Sequence, residues 1–177
     1  MATGTINPSG DGTTTDWECS AGTNNAALVD DGVQQPTNPP TDTFVSSDVA
    51  DVVDEYHMTT LVVASVSQVV VWVSLIDTQG RSNEVDVSIY VNGGWAADVA
   101  VTAPAAQGWD SATFNGAWTQ ADLDALQVRL TCQSSGPVIK VYEVTGVVTY
   151  EEASGFVPYD FSGDLRGGIN ALSGGLS

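Results

Sequence analysis

The sequence predicts an all-β protein: an antiparallel β-sandwich, jelly-roll-like, with one short α-helix and an extended C-terminal tail. Three observations carry this expectation. The chain divides into about eight to ten short strand-like runs with turn signals every ~8 to 12 residues, the spacing of two-sheet sandwiches. Glu84 to Val91 alternates at period two and ends on Asn92-Gly93-Gly94, a strong hairpin signal. Helix-start chemistry occurs at one place, after Trp118.

Taken in order, the first strand is expected near Thr3 to Ile6, followed by a turn through Asn7 to Gly12 and a short strand around Trp17 to Cys19. Ala26 to Val29 reads as a further short strand stopped by Asp30-Asp31-Gly32. Pro36, Pro39 and Pro40 make Gln34 to Asp42 a loop of polyproline character. Phe44 and Val45 fit a short edge strand. Tyr56 to Val66 and Val69 to Ile76 are apolar on both parities, as in strands covered on both faces. Asp77 to Gly80 turns the chain into the alternating strand, and Trp95 to Thr102 returns from it. Ala103 to Ala117 reads as an irregular connection carrying Trp109 and Phe114.

The helix is marked by Thr119 as N-cap, with Asp122 three residues on to complete a capping box. Trp118 and Leu123 have the spacing of a hydrophobic staple. Val128, Leu130 and Cys132 then share one face of a strand, and Ser134 to Pro137 turns into the last one. There Tyr142, Val144, Val148 and Tyr150 face one way and Glu143, Thr145, Thr149 and Glu151 the other. Ile139 and Val141 have the opposite parity, which predicts a bulge near Lys140 to Tyr142. The sandwich domain is thus expected over residues 1–152, with 153–177 a glycine-rich arm. Phe156, Tyr159, Phe161, Leu165, Ile169 and Leu172 recur through the arm. Apolar anchors in such an arm are expected to dock on a neighbour and order there, with free disorder the alternative.

Charge is the unusual property. The 177 residues include 22 acids and 4 bases, a net charge of −18. Such a surface repels nucleic acid and anionic lipid, and no basic patch is available for phosphate. Adaptation to high salt, where the Debye length falls to about 3 Å, is the expectation for so acidic a surface, the alternative being an acidic protein kept soluble by repulsion. Met1-Ala2-Thr3-Gly4 leads into polar turn residues without a charged or apolar leader, so no signal peptide is expected. The most apolar run, Leu61 to Ile76, contains Ser65, Ser67, Gln68 and Ser74 and is short of the ~20 residues of a membrane span.

No catalytic constellation is present, and the expectation is a non-enzyme. The one histidine, His57, has no G-x-S-x-G partner, and the chain lacks a Walker loop, a G-x-G-x-x-G and an H-E-x-x-H. No cofactor is expected, although a structural Ca²⁺ or Mg²⁺ could be held by acidic loop residues, with Asp11, Asp30 and Asp31 the candidate ligands. Asp48, Asp51, Asp54 and Glu55 form another acidic run; solvation explains most of these carboxylates. Cys132 has core parity and reads as a buried free thiol, while a disulfide to Cys19 stays open. Among the aromatic residues, Trp95 and Trp109 are the candidate glycan contacts; core packing is expected for most of the others.

Two segments, Ile6-Asn7-Pro8-Ser9-Gly10-Asp11-Gly12-Thr13-Thr14-Thr15-Asp16-Trp17 and WTQADLDALQVRL…VYEVTGVVTY, bracket nearly the whole body. This pattern of turns, staple and terminal strand resembles β-sandwich or jelly-roll modules in virion proteins of tailed viruses, such as capsid decorations, turrets and tail or fibre components. With the acidic surface, it is similar to a structural protein from a virus of a halophilic archaeon. The resemblance implies a non-enzymatic homo-oligomer that assembles with other virion proteins, such as capsid or tail subunits, in the host cytoplasm and resides in the virion. It implies no catalytic residue and no nucleic-acid or membrane contact. The alternative is a carbohydrate-binding β-sandwich module used in host-surface recognition.

Overall fold

The computed structural model describes residues 1–32, 37 and 39–153. Twelve strands occur among them: β1 (Ala2–Ile6), β2 (Pro8–Thr15), β3 (Glu18–Cys19), β4 (Val45–Ser47), β5 (Val53–Met58), β6 (Val63–Asp77), β7 (Glu84–Val91), β8 (Gly94–Trp95), β9 (Val99–Thr102), β10 (Gly108–Trp118), β11 (Gln127–Cys132) and β12 (Ile139–Glu152). A 3-10 turn (Ala26–Leu28) and one short helix, α1 (Gln120–Asp124), accompany them. The strands form two antiparallel sheets. The first runs β10-β6-β12-β4-β3, with β1 beside the far end of β12; the second runs β2-β5-β11-β7-β8, with β9 beside the near end of β7. The expected antiparallel β-sandwich is the fold.

The core lies between the sheets and follows from alternation. Val69, Val71, Val73 and Leu75 of β6 face Val85, Val87 and Ile89 of β7 and Val128, Leu130 and Cys132 of β11 across the sandwich, and all are essentially inaccessible. On β12 the inward set starts as Ile139 and Val141 and resumes as Val144 and Val148. The parity changes at a bulge between Val141 and Glu143, as the sequence predicts.

Local chemistry fixes the ends of elements. Thr119 Oγ1 accepts from the Asp122 N–H while the Asp122 carboxylate accepts from the Thr119 N–H, so the capping box is formed. Trp118 and Leu123 line one crevice with Val66, Val69 and Leu126. The hairpin between β7 and β8 turns on Asn92 and Gly93, at φ 53° and 74°, the two positive values that a type I′ turn needs.

Four expectations are corrected. Ala26–Val29 is not a strand: Leu28 N–H bonds to Asn25 C=O and Val29 N–H to Ala26 C=O, closing a 3-10 turn. The expected turn at Asn7 to Gly12 is instead the start of β2, whose glycines produce irregular pairing rather than a reversal. The connection at Ala103 to Ala117 is largely the regular edge strand β10, because Ala112 and Phe114 alternate into the core opposite Val71 and Val69. The short strand after Phe44 is not an edge: β4 lies between β12 and β3. The arm residues Phe156, Tyr159, Phe161, Leu165, Ile169 and Leu172 lie outside the described residues.

Candidate functional site

The outer face of the second sheet is partly covered, with His57 exposed, Tyr90, Trp95, Gln127 and Arg129 half-buried and Glu55 and Ser88 buried, and sheet register dictates what stands on it. His57, Gln127, Tyr90 and Trp95 are successive cross-strand partners on β5, β11, β7 and β8. With strands ~4.8 Å apart, this row spans ~14 Å. Glu55, Arg129 and Ser88 form the next row. Side chains of neighbouring rows therefore stand on the same face of the sheet, with the aromatic rings at one end.

The rings are held rigidly. Tyr90 and Trp95 meet edge to face, with centroids 5.5 Å apart and planes at 74°. The Arg129 guanidinium lies 4.5 Å from the centre of the Trp95 ring, and its Nη2 donates to Asp98 Oδ1 at 3.2 Å. The Nε of Arg129 is buried without a hydrogen-bond partner.

Opposite the rings, β2 makes the wall. Asp11 pairs with Tyr56 and Thr15 with Asp54, so three residues, Gly12 to Thr14, bulge outward opposite the single Glu55. The bulge turns the Thr13 and Thr14 N–H groups onto Glu55 Oε2, at 3.2 and 3.0 Å. Glycine is needed at position 12, since a Cβ there would sit 2.5 Å from the Glu55 Cβ. Thr13, Thr14, Glu55, Tyr90, Trp95 and Gln127 together line an open pocket of about 380 Å³. It combines aromatic rings with a carboxylate fixed through one oxygen and a side-chain amide. Such a lining can offer a ligand an apolar ring contact together with hydrogen-bond partners.

The two candidate glycan contacts do not come together. Trp95 belongs to this pocket, whereas Trp109 stands on β10 of the other sheet, opposite Ser74, with its Nε1 donating to Thr37 C=O at 3.1 Å. Trp17 and Trp118 are core residues, as expected. The metal candidates also separate. Asp11 Oδ1 accepts from Ala26 N–H at 2.7 Å, while Asp30 and Asp31 lie on the loop above β12. Among the described residues no group of three or more His, Cys, Asp or Glu side chains is placed to hold a metal ion. Cys19 and Cys132 are both free thiols, which closes the disulfide alternative. Among the described residues no helix is long and apolar enough to cross a membrane.

Two acids are buried that the sequence reading left among the solvated carboxylates. Glu143 is completely buried on β12, with Oε2 accepting from Asp31 N–H at 3.0 Å and Oε1 unpartnered. Burial, with Asp31 and Asp30 nearby, pushes its carboxyl up to about 8 against the backbone N–H groups that hold it down. Asp54, next in sequence to the pocket's Glu55, points the other way into the core. Burial pushes it up to about 7 despite hydrogen bonds from Tyr56 and Asn25. The signal for Asp54 was available in its parity with Tyr56; that for Glu143 was not, since its covering loop comes from a distant part of the chain.

No family model matches the chain, and no curated protein matches it. Solved structures of similar fold include the CBM35 of Abf62 from Cellvibrio japonicus, at 14% identity and TM-score 0.44, covering 86% of this chain and 99% of that one. The CBM35 from Paenibacillus barcinonensis is 15% identical at TM-score 0.46, covering 85% and 100%. The C-terminal CBM6 of LamC, a marine laminarinase from Zobellia galactanivorans, is 10% identical at TM-score 0.47, covering 84% and 100%. Likeness at this level gives no residue-by-residue correspondence between their sites and this chain.

Proposed function

We propose that the protein is a non-catalytic carbohydrate-binding module whose binding face is the outer surface of the second sheet. The observation that carries this reading is the open pocket in which the Tyr90–Trp95 ring pair stands across from a pinned Glu55 carboxylate and the Gln127 amide. A sugar ring stacks its C–H face on the aromatic end, and its hydroxyls donate to Glu55 and exchange hydrogen bonds with Gln127. Fixing Glu55 through Oε2 orders its carboxylate before binding, which lowers the ordering cost. With a net charge of −18, the module is expected to select neutral over anionic glycans.

The test is a glycan array probed at molar salt with the wild type, Trp95→Ala and Trp109→Ala. Binding of neutral glycans that is lost in Trp95→Ala and retained in Trp109→Ala supports the reading. Absence of any bound glycan, or loss through Trp109 alone, counts against it.

A second reading is a homo-oligomeric virion component, favoured by the resemblance of residues 6–17 and 118–150 to virion β-sandwich modules and by the acidic composition. Its test is deletion of 153–177 followed by an assay of particle incorporation, where unchanged incorporation weighs against the assembly role of the arm. A receptor-binding virion fibre would unite the two readings.

A further inference from the structure

The outer face of the first sheet is built by β10, β6, β12 and β1, away from the pocket. Cross-strand pairing sets Thr113, Val70, Val147 and Thr5 in one row across the four strands. The rows on either side run from Ser111 through Trp72 to Thr145, and from Asn115 through Gln68 and Thr149 to Thr3. None of these side chains is charged, in a chain with 22 acids. The next outward residue on β12, Glu143, is completely buried. The outer face of the second sheet, in contrast, carries Glu55 and Arg129.

Val70, Trp72 and Val147 form the half-buried centre of this face, and the exposed Thr113 and Asn115 stand at its edge. Gln68 Nε2 donates to Asn115 Oδ1 at 2.9 Å, which orders the edge amides. Among the described residues Trp72 Nε1 has no hydrogen-bond partner; indole N–H groups that become buried usually find one. An aromatic and aliphatic centre, a rim of hydroxyls and amides, and no Asp, Glu or Lys make up the composition of a protein–protein contact.

Charge selects the partner and area sets the strength. A cationic partner is drawn to the acidic surfaces elsewhere, not to this face. A second copy related by a two-fold axis brings the same face, so centre meets centre and no carboxylate of either chain is desolvated. Sheets cover one another in this way at about 10 Å separation. With strands ~4.8 Å apart and same-face residues ~6.8 Å apart, the three rows span about 400 Å² in projection. Two such faces bury on the order of 1,000 Å² once side-chain relief is included, which is the size of a transient contact. Opposing it is the repulsion between two chains of net charge −18. That repulsion acts over about 10 Å at 0.1 M salt and about 3 Å at 1 M.

We propose that the outer face of the first sheet is the two-fold contact of a weak homodimer, which forms as salt screens the repulsion between the two chains. The contact depends on neither the saccharide nor the virion reading.

Sedimentation equilibrium of the full chain up to about 1 mM protein, in about 0.1 M and about 1 M NaCl, tests the contact. The dimer should be about tenfold tighter at the higher salt. Val70→Glu at the centre and Thr113→Glu at the edge should each weaken it at least about tenfold. Thr113 is exposed, so its variant serves if Val70→Glu does not fold. Ala97→Glu, the same added charge at an exposed position beside the second sheet, should leave the dimer as in the wild type. In the wild type at about 1 M salt, the Trp72 indole N–H resonance should move with protein concentration while that of Trp95 stays fixed. A monomer at both salts overturns the proposal, and it is also the result if a different molecule covers this face. A dimer that both glutamate variants leave intact, or one that weakens as salt is added, overturns it equally. A pocket that binds no glycan changes none of these results, so the two failures are distinguishable.

Discussion

Replacing Glu143 by glutamine should change stability in opposite senses at low and high pH. Glu143 is completely buried, its Oε1 meets no partner, and its carboxyl is raised from 4.5 to about 8. Because the folded-state value exceeds the unfolded one, the unfolded chain gives up its proton first as pH rises. The wild type therefore loses stability from about pH 4.5 until about pH 8, and no more beyond. Across that window each pH step of one costs about 1.4 kcal/mol, so the loss has a ceiling of ~5 kcal/mol. Glutamine keeps the shape and an oxygen for the Asp31 N–H but does not ionise. Its NH₂ group brings a pH-independent cost of ~1–3 kcal/mol if left unbonded. That cost cancels when the mutational change is compared between two pH values. Urea unfolding at pH 4.5 and pH 8.5 should thus show Glu143→Gln gaining ~3–5 kcal/mol relative to wild type between the two. A mutational change equal at both pH values would refute the assignment of Glu143 as an uncompensated buried acid.

Gly12→Ala should destabilise the protein by ~1–3 kcal/mol in urea unfolding, because the new Cβ meets Glu55 at Cβ and backbone within 3.0 Å. Thr119→Ala should cost ~1 kcal/mol by removing the capping box of α1, read from the same unfolding curves. Thiol titration of the unreduced protein in denaturant should find both Cys19 and Cys132 reactive; a single mass with no reactive thiol would contradict this.

What could be read from the sequence was what adjacent residues decide among themselves. The capping box at Thr119, the Asn92-Gly93 hairpin and the β12 bulge each depend on residues within a few positions, and each is formed. Cys132 reads as buried from its parity with Val128 and Leu130, and it is. Distance in the chain defeated the remainder. Alternation places Glu143 on the polar face of β12, but the loop at Asp31 covers that face and turns an expected solvent acid into a buried one. Asp54 and Glu55 look alike in an acidic run, yet the pairing of β5 with β2 sends one into the core and the other into the pocket. Trp95 and Trp109 look equivalent until sheet membership separates them. The pocket itself joins β2, β5, β7, β8 and β11, whose neighbours are set by topology and not by sequence proximity.

The most direct test of the proposed saccharide-binding role of this face is an NMR titration of the indole N–H resonances with neutral oligosaccharides at molar salt. The five tryptophans are resolved probes of different places: Trp17 and Trp118 in the core, Trp72 and Trp109 on the first sheet, Trp95 in the pocket. The expected result is a saturable shift of Trp95, with Trp17 and Trp118 unmoved. Shifts confined to Trp109 or Trp72, or no shift with any neutral oligosaccharide, would contradict the assignment of this face.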